Sequence, residues 1–328
     1  MITVLAGGVG AARFLRALLH VVPATDVAAV VNTGDDTVMH GLSISPDIDT
    51  ITYTLAGAID PNRGWGLRDE TWRAMDALAR FTDVRPPGSE AAPTWFNLGD
   101  QDLATHFYRT ARLREGATLS EVTDEVARAF GLRIAMHPMT DQRVETRVTL
   151  APEGDGAPSR EVSFQEYFVQ LHHSVPVQSV RFAGADVAQL SAPASRAIED
   201  ADVVVVAPSN PLVSIGPMRA LRGVDDLLAA RRETVVAVSP IVGGAALKGP
   251  ADHMLTELGH EPSVVGVARL YAPIACALVI DPVDAHLAGA VETAGMRAVI
   301  VPSVMTTAEV SATLARATLA AVTGSVRE

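Results

Sequence analysis

The chain has 328 residues, 48% hydrophobic and 20% charged, with a mean hydropathy of +0.23, enough apolar side chain for a sizeable core and too little charge for a disordered chain. Its apolar residues come in short runs, far below the ~20 that cross a bilayer. The 26 Lys+Arg against 38 Asp+Glu leave a net charge of −12, which excludes the electropositive footprint of a duplex nucleic-acid binder but not a small anionic ligand.

Met1-Ile2-Thr3 runs straight into a strand pattern without a basic and then apolar leader, so the expected location is the cytoplasm. Ile2–Ala6 predicts a first strand, Ala11–His20 its helix and Val27–Val31 the next strand. In an open α/β sheet ligands bind beyond the carboxyl ends of the strands. The turn Gly7-Gly8-Val9-Gly10 therefore offers backbone N–H groups and a positive helix terminus to an anion, with a plain tight turn as the alternative. It is not a dinucleotide fingerprint, because Arg13 fills the third glycine position of G-x-G-x-x-G and Asn32 stands where a ribose-binding acid belongs. It is not a P-loop either, since no Gly-Lys-Ser/Thr follows.

The second strand runs into Asn32-Thr33-Gly34-Asp35-Asp36, followed by Ser45-Pro46-Asp47-Ile48-Asp49-Thr50 and then Asp60. Carboxylates crowded at one sheet end repel one another unless a cation joins them, so Asp49, with Asp47 or Asp60, is a candidate magnesium site. The alternatives are that Asp47 or Asp49 caps a helix starting near Thr50, and that Asp35 and Asp36 serve a turn. Next come helical stretches over Asp69–Arg80 and Ser120–Phe130, with a loop at Pro86-Pro87-Gly88 between them. Arg143–Leu150 and Arg160–Val169 then resemble a hairpin across the turn-rich Pro152–Pro158.

Further β-branched runs follow at Asp202–Ala207, Thr234–Ser239, Val264–Val267, Ala277–Ile280 and Ala298–Val301. Strands alternating with helices at both chain ends imply a doubly wound, Rossmann-like parallel sheet covered on both faces. The chain reads as one domain, with a nucleotide-binding core over about 1–65 and 175–328 and a mainly helical insert over about 66–174. The loop after the first of these later strands, Ala207-Pro208-Ser209-Asn210-Pro211 through Ser214, Gly216 and Pro217, is stiffened by prolines and carries short polar side chains suited to a phosphate or a base edge. Ser239-Pro240-Ile241-Val242-Gly243-Gly244 ends the next strand in the same style and leads to Lys248, the sole lysine beside 25 arginines. A compact ammonium beside glycines suits a phosphate where a planar guanidinium does not fit. Cys276, alone in its apolar stretch, reads as core filler. His106, His137 and His253 lack metal spacing and read as structural, and no G-x-S-x-G elbow marks a serine nucleophile. Thr306–Val322 is an Ala-rich helix.

Taken together and in order, Gly7–Gly10, Val31–Asp36, Ser45–Thr50, Asn97-Leu98-Gly99-Asp100-Gln101-Asp102, Pro208–Pro211 with Ser214–Pro217, and Ser239–Gly244 resemble the CofD-like phosphotransferases, the 2-phospho-L-lactate or phosphoenolpyruvate transferases of coenzyme F-420 biosynthesis. The resemblance spans nearly the whole chain. It implies a homodimeric, magnesium-dependent enzyme that joins the deazaflavin Fo (7,8-didemethyl-8-hydroxy-5-deazariboflavin) to a GDP-activated three-carbon acid and releases GMP. It places Fo against Asp49 and Asn97, with the adjoining Gly99 and Asp100 as further Fo candidates, and magnesium at the acidic group around Asp49. It places the donor nucleotide against Gly8, Val9, Gly10, Ser209, Asn210, Ser214 and Gly216, and Lys248, read from its own surroundings, joins them as a donor-binding candidate. Threonine is common in the family where Val9 stands, so only backbone serves here. Asp49 is the candidate proton acceptor, and Lys248 a candidate catalytic charge. Trp95 and Phe96 beside Asn97 suit a planar ring, or pack the insert onto the sheet. Other nucleotide-dependent transferases and a non-catalytic nucleotide-binding regulator are alternatives; the regulator has no use for the acceptor motifs.

Overall fold

The structure, a computed structural model, describes residues 1–89, 91–152 and 158–323. Seven strands form one parallel sheet: β1 (Ile2–Ala6), β2 (Val27–Val31), β3 (Ala135–Pro138), β4 (Val203–Val206), β5 (Val235–Val238), β6 (Ala277–Ile280) and β7 (Arg297–Ile300). Their spatial order is β3-β2-β1-β4-β5-β6-β7, the doubly wound order, with its direction reversing between β1 and β4. Val4 pairs with Ala29 on one side and Val205 on the other.

The central strands are buried on both faces, so their sequence is a continuous apolar run and successive side chains feed different cores. Val4, Val205, Val236 and Val279 face helix α1 (Gly8–Leu18), helix α2 (Pro46–Leu55) and the C-terminal helix Ala308–Thr323. Leu5, Val204, Val206, Ala237 and Leu278 face the opposite layer, built from Ala192–Glu199, Val224–Ala230 and Val264–Tyr271. Cys276 is half-buried at the edge of the first core, where burial pushes its thiol pKa up.

Two features differ from the sequence reading. Val264–Val267, read as a strand, begins the helix Val264–Tyr271, because the amides of Val265 and Gly266 donate to Ser263 Oγ at 3.1 and 3.3 Å. A short apolar run cannot by itself distinguish a buried helix from a strand; the cap decides it. The chain also re-enters the sheet at β3, inside the span read as an insert. That span is consequently two bodies: helices Arg73–Ala79, α3 (Asp102–Arg114) and Leu119–Ala129 before β3, and an antiparallel three-stranded sheet after it. In that small sheet Glu145–Leu150 lies between Arg160–Ser163 and Val177–Ala183. Residues 153–157 of the turn-rich segment lie outside the described residues. No helix among the described residues is long and apolar enough to cross a membrane.

Candidate active site

At the reversal point the loops after β1 and β4 are in contact. Gly7 N donates to Ser209 Oγ at 3.2 Å, and that hydroxyl donates back to Gly7 O at 2.8 Å. A Cβ on Gly10 would stand 2.2 Å from the carbonyl oxygen of Pro208, and one on Gly7 would stand 2.7 Å from Ser214 Cβ. Two of the glycines thus permit a close approach of loops, whereas Gly8 is set by its backbone, with φ +72 and a Cβ position 3.9 Å from Asp47 Oδ1. The loop after β4 holds its own shape through Asn210 Oδ1, which accepts from Leu212 N at 2.9 Å and Val213 N at 3.4 Å.

These loops floor a cleft of ≈ 1520 Å³. Of the residues expected to bind ligand, Gly8, Val9, Gly10, Asp47, Asp49, Asn97, Ser209, Asn210, Ser214 and Lys248 line it, and Asp60, Gly99, Asp100 and Gly216 do not. Asp60 is folded into its own turn, accepting from Asn62 N and Arg63 N at 2.8 and 3.0 Å and pairing with Arg63. Asp100 caps Arg73–Ala79, accepting from the amides of Arg73 and Ala74. Gly99 is pressed against Glu70, and Gly216 opens a short helix against Phe182.

Pro46 at the first helical position starts α2 four residues before Thr50, which places Asp47 and Asp49 in its first turn. They face different partners. Asp47 accepts from Gly8 N at 2.9 Å and from Asn32 Nδ2 at 3.0 Å. Asn32 Nδ2 also donates to Asp35 at 3.3 Å, and Asn32 Oδ1 fixes the turn by accepting from Gly34 N. Burial pushes Asp47 up to about 6. Burial and the neighbouring Asp47 charge hold Asp35 well above the usual carboxylate range. Asp36, beside them and bonded by Ser45 Oγ at 2.7 Å, is pushed up to about 8 by burial. One oxygen each of Asp35 and Asp36 is buried without a hydrogen-bond partner.

Asp49 belongs to a separate network. Arg109 of α3, only 1% exposed, donates to both of its oxygens. His106 Nδ1 lies 3.3 Å from the same guanidinium, and His106 Nε2 lies 3.3 Å from Asp102. Tyr53 donates to Asp102, and hydrogen bonds from His106 and Tyr53 hold that carboxyl below its ordinary pKa despite burial. Ligand atoms of Asp49, Asp102 and His106 lie within 4.8 Å of one another. Among the histidines read as structural, His137 sits on β3 and His253 is exposed, but buried His106 borders the cleft. The signal that could have found it is spacing: Asp102, His106 and Arg109 share one face of α3, and the sequence reading took only Asp102 as part of a motif.

Part of the cleft lining is aromatic. Trp95 and Phe96 meet edge to face with ring centroids 5.9 Å apart, and Trp65 is held near Arg63, whose guanidinium lies 5.5 Å from its ring. Lys248 Nζ reaches the same loop, 3.0 Å from where a Cβ of Gly64 would stand. Arg13 and Arg16, exposed one turn apart on α1, add two positive charges to the wall and have no ion pair among the described residues.

A doubly wound sheet with a glycine turn at its reversal point and carboxylates at the same strand ends defines an α/β enzyme of the group-transferring kind. The chain belongs to the 2-phospho-L-lactate transferase CofD family, which it matches over residues 2–321, and it is a transferase of coenzyme F-420 biosynthesis. It is 41% identical over 321 residues to a phosphoenolpyruvate transferase of Kitasatospora aureofaciens, covering 97% of each chain. It is 39% identical over 327 residues to one from Mycolicibacterium smegmatis, again covering 97% of each. A solved structure of a UPF0052-family protein from Bacillus halodurans superposes with a TM-score of 0.56 at 14% identity, covering 97% of this chain and 98% of that one, and so shares the fold.

Proposed function

We propose that the chain transfers an enolpyruvyl phosphate group from a GDP-linked donor to the terminal ribityl hydroxyl of Fo. The observation that carries this reading is the joining of the Gly7–Gly10 turn to the Ser209 loop on the floor of a cleft that Asp49 and the Trp65, Trp95 and Phe96 wall also border. Amides and a helix terminus suit a diphosphate, and an aromatic wall beside Asn97 suits a planar tricycle. Relatives named phosphoenolpyruvate transferases favour enolpyruvate over lactate.

The hydroxyl oxygen attacks the phosphorus that bears the three-carbon acid. A new O–P bond forms, the P–O bond to the second phosphate breaks, and GMP leaves with that oxygen. Asp49 takes the hydroxyl proton: Arg109 uses one lone pair on each of its oxygens, and each keeps another for an incoming group. Lys248, Arg13, Arg16 and the amides of Gly8–Gly10 offset the charge on the donor phosphates, so no protein nucleophile is needed.

Magnesium fits the carboxylates around Asn32. Asp47 and Asp35 would hold it, since they are hard oxygen donors, mutually repelling, with one Asp35 oxygen left unpartnered. When bound it would supply charge neutralisation at the diphosphate. The group around Asp49 already contains the guanidinium cation and a histidine, a poorer match to a hard ion. The family resemblance extends the reading to a cytoplasmic homodimer. Incubation with Fo, magnesium and either the enolpyruvyl or the lactyl GDP donor, followed by mass spectrometry of the deazaflavin product, tests it. A product carrying phosphoenolpyruvate is expected; a product only from the lactyl donor, or none from either, contradicts it.

A further inference from the structure

Beyond the donor loops the cleft has a further wall, built on the segment after Arg160–Ser163. After Arg160–Ser163 the chain winds into a π-helical turn, Glu166–Gln170, closed by Leu171 N donating to Glu166 O at 2.9 Å. Two consecutive histidines follow in the left-handed region, His172 at φ 50 and His173 at φ 44, locked by His173 N donating to Tyr167 O at 2.9 Å. A helix end in that conformation ordinarily takes glycine, and wide or strained turns that keep bulky side chains concentrate at functional sites.

The two side chains are employed differently. The ring of His173 stacks on Phe168, with centroids 5.5 Å apart and planes 17° apart, and Phe168 stacks on Phe164. His172 has no hydrogen bond or ion pair among the described residues, is exposed, and lines the cleft with Phe168 and Val169. The turn is anchored on the donor side, since Phe164 and Tyr167 share a core with Val213 of the loop after β4 and with Met254. The Trp95–Asn97 wall packs elsewhere, with Met39, Met75 and Leu98.

We infer that His172, which lines the cleft together with Phe168 and Val169, is the shelf on which the purine base of the donor nucleotide stacks. The inference rests on the donor reading above and adds the part of the chain that recognises the base. An exposed imidazole on the cleft wall, with no hydrogen bond to either ring nitrogen among the described residues, offers a π-face to a base and a polar edge to its substituents. Stacking of a base on such a side chain is worth roughly 1–3 kcal/mol, or about 5- to 150-fold in affinity.

Calorimetric titration of the whole protein with GDP and with inorganic pyrophosphate tests it, using His172→Gly and His172→Phe. His172→Gly also removes the left-handed strain, so it is expected to melt no lower than wild type. The inference predicts that His172→Gly binds GDP at least about fivefold more weakly, binds pyrophosphate as wild type does, and that His172→Phe restores most of the GDP affinity. Unchanged GDP binding in His172→Gly, or an equal loss for pyrophosphate, overturns the shelf and leaves the donor reading standing. Failure of wild type to bind GDP overturns both.

Discussion

Both oxygens of Asp49 accept hydrogen bonds from the single guanidinium of Arg109, and both side chains are buried. A buried pair of this kind is costly to break from one side, because the remaining carboxylate keeps little water and only His106, 3.8 Å away, in place of the guanidinium. Arg109→Met is expected to lose about 3–5 kcal/mol of stability. The double variant Arg109→Met with Asp49→Leu, with no charge left to strand, is expected to recover most of it. Urea denaturation checks both, and a loss below about 1 kcal/mol in the single variant would contradict the burial argument.

Gly10 supports a different contact. A methyl group there meets backbone, the carbonyl of Pro208 at 2.2 Å, and has no flexible neighbour to displace. Gly10→Ala must push the loops after β1 and β4 apart at a cost of about 1–3 kcal/mol. GDP binding is expected to weaken together with the melting temperature. A variant that melts and binds GDP as wild type does would show that the loop approach is not needed.

The parts of this arrangement legible in the sequence were those written locally. Alternating apolar runs and turn residues located six of the seven sheet strands, and Gly7–Gly10, Asp47, Asp49 and Ser209 all stand just past strand ends. β3 escaped because Ala135–Pro138 is an edge strand with a proline and a histidine, hardly apolar enough to stand out between a helix and a hairpin. Arg109 and His106 escaped for a tertiary reason: their role exists only because α3 packs against the Leu42–Ile44 strand and brings them to Asp49, about sixty residues earlier in the chain. The separation of Asp47 from Asp49, two residues apart yet in different networks, is likewise a consequence of helical rotation in the first turn of α2.

Asp36 makes stability depend on pH. Its folded-state value, about 8, lies above the ordinary 3.8, so the folded state holds a proton that the unfolded chain releases. That contribution is complete below pH ~4 and is lost as pH rises towards 8. Asp36→Asn keeps an acceptor for Ser45 and has no proton to lose. In EDTA, its melting temperature relative to wild type is expected to climb between pH 5 and pH 8.5; a difference independent of pH would contradict the buried, protonated carboxyl.

Asn97 borders the cleft beside Trp95 and Phe96. Loss of one neutral hydrogen bond is worth about 1 kcal/mol. Asn97→Ala is therefore expected to raise the KM for Fo about fivefold with donor KM unchanged. Steady-state kinetics with each substrate varied in turn decide this, and a change confined to the donor would move the acceptor to another wall.

The most direct test of this transfer mechanism is the release of GMP, followed by chromatography, from the GDP-linked enolpyruvate donor in magnesium, with and without Fo. GMP is expected in a one-to-one ratio with phosphorylated Fo, none without Fo, and its release slowed by orders of magnitude in Asp49→Asn. GMP formed equally well without Fo, or at the wild-type rate in folded Asp49→Asn, would contradict it.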